Sequence, residues 1–493
     1  MERIFVQNKS FVDFYGRERI FRGINVVDKC ASSEENGNKF GYKIDDEFLS
    51  QMVGNGLNIL RLGTTWSMLE PKPGKYNDEY LDDILRIFDL CEKYGVYVFL
   101  DMHQDLYSAK CYGDGAPEWA TITDKYEPKP VKLIWAEGYF WRKATHRAFD
   151  NFWNNTEYQG KGLQDYFADL WKHVAEKFAN HPALFGFDMF NEPFLGSDGR
   201  KLFKKFVATI LKTIVFDKRI KTTRLIGDVL NKEKRKQMKF LNKITGEVLS
   251  DIARTAGAKY IEKFDTEKYS PFVNKISTAI REVTDRGIII MGNCYWCNTC
   301  VPCFASPIEV DGAIEKNFCF SPHGYDLMVD TPQYKYASND RARAIFDEHK
   351  RTQEKLNVPV LVGEWGGCGD DGEDWLPHIE YIVNMFDENK WSSAYWHYMD
   401  DMFSSPLMKV LNRPYPMAVA GRILSYGFNT KTNVFNLSYE HNPLCTEPTV
   451  VYVHKTPKSV EGGEYEQITI GDKGGAKLVF ENDFCNRKIK ITF

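Results

Sequence analysis

The sequence predicts an α/β fold, a (β/α)8 TIM barrel followed by a C-terminal β-sandwich domain. Short apolar runs rich in β-branched or aromatic residues alternate eight times with longer stretches of helical period, the pattern of parallel strands joined by helices. From about Leu411 the helical period fades and short alternating stretches take over. At 493 residues the chain also exceeds the usual size of one domain. The expected division is a barrel over residues 1–410 and a β-sandwich over 411–493.

The eight runs are Ile20–Val27, Asn58–Gly63, Val96–Asp101, Leu184–Phe190, Ile288–Gly292, Asn317–Ser321, Val358–Gly363 and Ser392–His397. Between them lie helical patterns over Glu79–Lys93, Gln164–Asn180, Val273–Arg286, Arg341–Leu356 and Leu376–Glu388, several ending at Gly or Asn as a helix C-terminus should. Eight strands with intervening helices favour a closed barrel over the open doubly wound sheet that the same alternation also allows. Two connections, 104–163 and 194–270, are far longer than ordinary loops. Both leave the C-terminal ends of strands, the face on which barrels build their sites, so they are expected to wall or cover a cleft. The last domain is read from Thr449–His454, Tyr465–Ile470, Ala476–Phe480 and Lys488–Phe493.

Composition narrows the function. Hydrophobic residues at 43% and charged residues at 27% suit a chain that buries a full core, which argues against disorder. A net charge of −4 supplies no basic field, so nucleic acid is set aside as a partner. The first fourteen residues show no basic stretch followed by an apolar one, and no run of eighteen apolar residues occurs. With eleven cysteines, an odd number, the expectation is a reduced protein of the cytoplasm or of a membrane surface rather than a secreted one.

Two short segments carry the chemistry. Phe187-Asp-Met-Phe-Asn191-Glu192-Pro193 puts a carboxylate at the mouth of the fourth strand, and Val358-Pro-Val-Leu-Val-Gly363-Glu364-Trp365 ends the seventh in the same way. On a barrel these two side chains face each other across the rim. Glycosidic cleavage needs such a pair, one group to protonate the departing oxygen and one to attack, or to activate water, at the anomeric carbon.

With these segments in view the chain resembles glycoside hydrolase family five, and within it the endoglycoceramidases and their glucosylceramidase-like relatives. The family's set can be followed onto Arg61 after strand two, His103 after strand three, Asn191 and Glu192 after strand four, His323 and Tyr325 after strand six, Glu364 after strand seven and Trp396 after strand eight. The narrower likeness rests on Asp101-Met-His103-Gln-Asp105-Leu-Tyr107-Ser108, on Gly23-Ile-Asn25-Val-Val-Asp-Lys29, and on Arg413-Pro-Tyr-Pro-Met-Ala-Val-Ala-Gly421. The resemblance implies a retaining β-glycosidase, with Glu192 as acid/base and Glu364 as nucleophile. It implies that Lys29, His103 and Asp105 hold sugar hydroxyls, that Asn191 meets the 2-hydroxyl, that Tyr325 donates to the nucleophile, and that Trp396 floors the sugar. Arg61 and His323 are expected to support the two acids, with no metal and no cofactor. The substrate implied is a glycolipid, glucosylceramide or a glycosphingolipid. A sterol glucoside and a polysaccharide β-glucan are the alternatives, and a non-catalytic sugar-binding barrel is disfavoured while both glutamates stand.

Two further features stand outside this set. Residues 201–239 hold thirteen Lys or Arg against Asp217, Asp228 and Glu233. Over Lys201–Phe216 the apolar Phe203, Phe206, Val207, Ile210, Leu211 and Ile214 recur at helical spacing, with lysines mainly opposite. That pattern fits either a helix lying on an anionic membrane, making 201–240 a peripheral contact, or a lid packed on the barrel. Cys294, Cys297, Cys300 and Cys303 stand three apart, a spacing that invites thiolate metal ligation, but the favoured reading is reduced thiols in the cleft wall. Cys368 follows Glu364 closely without a His partner that would suit a thiol nucleophile.

Overall fold

The computed structural model describes every residue except 33–36, 133–134, 221–240, 242, 330, 332–333, 368–371, 472–473 and 483. The eight expected strands form one parallel sheet. In chain order they are Arg22–Val27, Ile59–Thr65, Tyr97–His103, Leu184–Asp188, Ile288–Met291, Phe318–Phe320, Leu361–Val362 and Ser392–Tyr395, called strands one to eight below. Their order around the sheet is six, five, four, three, two, one, eight, seven. A parallel bridge between Phe320 and Val360 joins strand six to strand seven and closes the cylinder. The helices form where apolar residues recur on one face and the ends are capped. In Asp78–Tyr94 the Asn77 side chain accepts from Tyr80 N, Gly95 terminates the helix at φ 70°, and Leu81, Ile84 and Phe88 are buried against the barrel.

Inside the cylinder the side chains alternate with the strand period, and the inner face changes character along each strand. At the N-terminal ends Ile59, Tyr97, Phe99, Phe185 and Ile288 form an apolar plug with Ile4 and Phe11 of the N-terminal strands. Toward the C-terminal ends the same faces carry Arg61, Asp101, His103 and Asp188. Strand four keeps this alternation only through an irregularity: Val98 pairs with Leu184 but Phe99 pairs with Gly186. The extra residue lets Phe185 enter the plug while Asp188 still comes level with Asp101. Gly186 allows the close approach, since a Cβ there would lie 2.2 Å from the carbonyl oxygen of Ile288.

The C-terminal part is a sandwich of two antiparallel sheets. One holds Gly421–Asn429, Val434–His441, Arg487–Thr492 and Ser459–Glu461, and the other contains Tyr415–Val419, Thr449–Val453, Gly475–Phe480 and Tyr465–Ile470. Ile423, Phe435, Val451, Leu478 and Ile491 from both sheets fill the space between them. The sequence reading put residues 1–410 in the barrel portion, yet the strands Ile4–Gln7, Ser10–Asp13 and Glu18–Arg19 extend this second sheet, Arg19 and Glu18 pairing with Ala418 and Val419. Partners so far apart leave no local trace in either segment.

The long connections carry structure of their own. Residues 104–163 contain the helices Glu137–Trp141 and Lys143–Trp153, and 194–270 contain Ser197–Phe216 and Gly246–Phe264, which pack on each other. The apolar stripe read on Ser197–Phe216 is divided. Phe203, Phe206, Ile210 and Ile214 turn toward the core, with Phe203 stacked on Phe140 and Phe206 against Trp296. Val207, Leu211, Val215 and Phe216 are left exposed. Among the described residues no helix is long and apolar enough to cross a membrane.

Candidate active site

The polar ends of the strands meet around Arg61, which is fully buried. Its Nη1 lies 2.5 Å from Glu364 Oε1 and donates to Asn25 Oδ1 at 3.1 Å. Its Nε donates to Asp188 at 2.9 Å, and its Nη2 donates to Asn191 Oδ1 at 3.0 Å and lies 2.9 Å from Asp101. A buried cation is tolerable only with such compensation, and three carboxylates provide it. Because guanidinium only donates, this contact also fixes the Asn191 amide, whose Nδ2 donates to the carbonyl of Gln104 at 3.2 Å.

Glu192 leaves strand four through a left-handed backbone, φ 42°, uncommon for a residue with a Cβ. The turn out of the strand thus falls on Glu192 itself, one residue before Pro193. Gln104 braces the turn, its Nε2 donating to the carbonyls of Asn191 and Glu192 at 2.9 and 3.2 Å. Glu364 sits in the parallel pairing of His323 with Glu364, so strand ends six and seven present imidazole and carboxylate side by side. His323 Nδ1 is 2.9 Å from Glu192 Oε1 and 3.4 Å from Glu364 Oε2. Tyr325 donates to Glu364 Oε2 at 2.9 Å. A carboxylate oxygen of Glu192 lies within 4.8 Å of one of Glu364.

The two acids are driven apart electrostatically. Burial raises the Glu192 carboxyl above its ordinary range, and the charge of Glu364 adds to that against the hydrogen bond from His323. Burial is the larger of the two raising causes. For Glu364 burial also pushes upward, but His323, Arg61 and His103 together outweigh it, so this carboxyl stays below its ordinary range. One group is therefore held toward the protonated form and the other toward the ionised form, as an acid beside a nucleophile requires.

A second cluster lies on the strand-three side. His103 Nδ1 pairs with Asp101 at 2.8 Å and Nε2 lies 3.6 Å from Asp105. Lys29 reaches Asp105 at 2.5 Å and Asp114 at 3.9 Å. Burial and Lys29 push the His103 imidazole down, but Asp101 and Asp105 prevail and lift it to about 10. Burial, then the charge of Asp105, raise Asp114 to about 7. Trp396 is half-buried, its ring stacked near the plane of His103 at 5.5 Å with Lys29 Nζ 4.9 Å from the ring centre. An aromatic face thus adjoins a ring of alternating charges, which suits a sugar with apolar C–H faces and polar hydroxyl edges.

Every residue that the family likeness named for the site converges here: Lys29, Arg61, His103, Asp105, Asn191, Glu192, His323, Tyr325, Glu364 and Trp396. Four partners carry no signal strong enough to find in advance. Asn25 and Gln104 were visible only inside longer motifs, while Asp114 and Asn298 lie in loops whose return to the rim depends on tertiary structure. The described residues hold two groups of three possible metal donors, His103 with Asp105 and Asp114, and Glu192 with His323 and Glu364. Lys29 already lies in the first and Arg61 against the second, so cationic charge is supplied by the protein at both. Neither group includes Cys294, Cys297, Cys300 or Cys303, which are buried thiols. Cys368 lies outside the described residues.

Comparison with known proteins bears on the family and the fold. A profile described as Cellulase (glycosyl hydrolase family 5) matches residues 15–215 and 247–401, and one described as Glycoside hydrolase family 5 C-terminal domain matches 413–481. The gap between the first two segments falls in the lysine-rich insertion. Among relatives, the chain is 26% identical to a protein named Endoglycoceramidase from Cyanea nozakii, over 91% of this chain and 83% of that one. It is 27% identical to Endoglycoceramidase from Hydra vulgaris, over 93% and 82%. Among solved structures, the ganglioside GM3 complex of endo-glycoceramidase II from Rhodococcus sp. superposes with a TM-score of 0.74 at 23% identity, covering 99% of both chains. At that identity the likeness speaks for the fold.

Proposed function

The chain belongs to glycoside hydrolase family 5, and from that membership we propose a retaining β-glycosidase that cleaves glycolipids, releasing sugar from ceramide or a related lipid. The single observation that carries the mechanism is that a carboxylate oxygen of Glu192 and one of Glu364 lie within 4.8 Å of each other. Retaining enzymes set their carboxyl groups about 5–5.5 Å apart for direct attack, whereas inverting enzymes leave about 6.5–9.5 Å for a water. In the first step Glu364 attacks the anomeric carbon while the glycosidic C–O bond breaks, its electron pair going to the leaving oxygen, which takes the proton of Glu192. The sugar is then an ester of Glu364. In the second step Glu192, now ionised, removes a proton from water, which displaces Glu364 at the same carbon.

The remaining side chains follow from their contacts. His323 and Arg61 hold Glu364 ionised, and Arg61 and Tyr325 aim it. Asn191, oriented by Arg61, is placed for the 2-hydroxyl, where contacts strengthen as charge develops. Lys29, His103 and Asp105 take the hydroxyls of a sugar lying on Trp396.

Lipid-linked sugar is favoured over soluble polymer by the two relatives named as endoglycoceramidases, each aligned over most of this chain. The helix Ser197–Phe216 adds to it: Val207, Leu211 and Val215 stand one turn apart on its exposed side with Phe216 beside them, and Lys204, Lys205 and Lys212 are exposed on the same helix. Apolar side chains flanked by ammonium groups fit the interface of an anionic bilayer. Glucosylceramide, a longer glycosphingolipid, a sterol glucoside and a soluble β-glucan assayed side by side test the substrate, and turnover confined to the glucan would exclude it. Flotation with phosphatidylserine vesicles tests the surface. Leu211→Asp with Val215→Asp is expected to abolish flotation, and flotation equal to the parent protein would remove the membrane contact.

A further inference from the structure

The loop after strand five reaches back to Glu192 through two buried amides. The nitrogen of His323 donates to Asn293 Oδ1 at 2.8 Å, Asn293 Nδ2 donates to Asn298 Oδ1 at 2.8 Å, and Asn298 Nδ2 donates to Glu192 Oε1 at 2.6 Å. The direction of this chain is not arbitrary. A backbone N–H can only donate, so the atom of Asn293 that meets it must be the oxygen. The nitrogen of Asn293 therefore faces Asn298, whose oxygen must turn toward it and whose nitrogen must turn toward Glu192. Asn293 and Asn298 are 2% and 5% exposed, which leaves water little part in the arrangement. His323 Nδ1 meets the same oxygen at 2.9 Å. Imidazole can donate or accept there, so the ring alone would leave the place of the carboxyl proton open; the amide, which only donates through Nδ2, does not.

We infer that Asn298, held by Asn293, is a positioning residue that fills Oε1 of Glu192 with donors and so confines the transferable proton to Oε2, the oxygen left for the leaving group. The inference rests on the acid/base reading of Glu192. Among the described residues Asn298 Nδ2 and His323 Nδ1 both converge on Oε1, and no donor reaches Oε2. An acid whose proton sits on the wrong oxygen must rotate or exchange it before transfer, and in a buried site both are slow relative to a preset geometry. The same relay gives a task to the cysteine-rich loop. Tyr295–Thr299 is a short 3-10 helix that carries Asn298, and the buried Cys294, Cys297 and Cys300 anchor it in the core.

The test uses the full chain with Asn298→Ala and Asn293→Asp, and Glu192→Ala as reference. Asn293→Asp keeps the acceptor for His323 N but has no hydrogen to give Asn298, so it breaks the relay without emptying the site. Each variant is assayed on the glycolipid turned over fastest by the parent protein and on the 2,4-dinitrophenyl glycoside of the same sugar, whose leaving group needs no proton. Loss of a donor to a buried carboxyl acid is expected to lower kcat/KM on the glycolipid about tenfold more than on the dinitrophenyl glycoside. The alkaline limb of the glycolipid profile is expected to move upward, because removing a donor to the carboxylate destabilises its charged form. The other groups facing Glu192, namely His323, Glu364, Asp105, Tyr139 and Cys294, are untouched in these variants, but Asn293→Asp adds a carboxyl whose charge moves the limb the same way, so the limb is read in Asn298→Ala and Asn293→Asp is judged on the ratio of the two substrates. Equal losses on the two substrates in both variants, or an alkaline limb that stays in place in Asn298→Ala, would overturn the inference. If Glu192→Ala loses glycolipid turnover while both amide variants behave as the parent, the relay fails and the acid/base reading stands. If Glu192→Ala keeps glycolipid turnover, the acid/base reading fails and takes the relay with it. Should Asn298→Ala not fold, Asn293→Asp alone decides.

Discussion

The two ends of the barrel are built from the same strands and put to opposite uses. Near the N-terminal ends, Phe185 packs edge-on against Phe11 at 5.3 Å and Phe21 at 5.0 Å, and Tyr97 meets Phe21 at 5.3 Å. A few residues farther along the same inner faces, Arg61 gathers Asp101, Asp188 and Glu364. The aromatic end gains free energy by removing ring surface from water and needs no particular charge state. The charged end is costly to bury and persists because its groups satisfy one another. The contrast teaches that stability and chemistry are separated along a strand rather than between strands, and substitutions at the two ends should fail in different ways.

Glu364→Gln should give the largest effect on rate, a fall in turnover by roughly 10⁴-fold or more, since an amide cannot form the ester. Arg61 keeps Asp101 and Asp188, so the melting temperature should remain near that of the parent; a large drop would show that the charged end also carries the fold. Arg61→Met is where the separation should break. It leaves three buried carboxylates without their cation, and both turnover and stability should fall, the latter by roughly 3–5 kcal/mol. A variant that stays as stable as the parent would mean that those acids take up protons without strain. Phe185→Ala should do the reverse of Glu364→Gln, costing about 3–5 kcal/mol in chemical denaturation while kcat of the folded fraction holds. A matching loss of kcat would show that the plug sets the geometry of the rim.

The smallest effect expected is a change in the shape of the pH profile. As the proposed nucleophile Glu364 must be ionised, and its carboxyl is held below its ordinary range, so kcat/KM should fall only as pH drops through that lowered value. As the proposed acid Glu192 must carry its proton, and its carboxyl is raised, so kcat/KM should fall as pH rises through that raised value. Glu192→Ala should erase the alkaline limb on the glycolipid. A limb that survives unchanged would assign it to another group, such as Asp114, lifted to about 7.

Much of this site was legible because its chemistry sits in short segments at strand ends. Asn191-Glu192-Pro193 and Gly363-Glu364-Trp365 announce themselves through residue type and the apolar run before each, and eight such runs declare the barrel. What stayed hidden depends on where distant segments return. Asn298 looks like one residue in a cysteine-rich loop until the turn after strand five brings its amide to Glu192, and Asp114 reaches Lys29 only through the bridge between Asp105 and Asp114. The register irregularity in strand four is silent because Leu184-Phe-Gly-Phe-Asp188 reads as an ordinary apolar run. The pairing of residues 4–19 with the C-terminal sheet is silent for a different reason, since each partner segment is a plausible edge strand alone. On Ser197–Phe216 the hydrophobic period marked one apolar stripe, but only packing could divide it into the half held by Trp296 and Phe140 and the half left exposed.

In the proposed mechanism Glu192 and Glu364 stand close enough for one of them to bond directly to the sugar. The anomer released first reports this without any substitution. When a β-linked glycolipid is cleaved in an NMR tube, two displacements at one carbon should deliver the β-anomer first, with the α-anomer appearing only by slow mutarotation. Initial release of the α-anomer would mean a single displacement by water and would contradict the account.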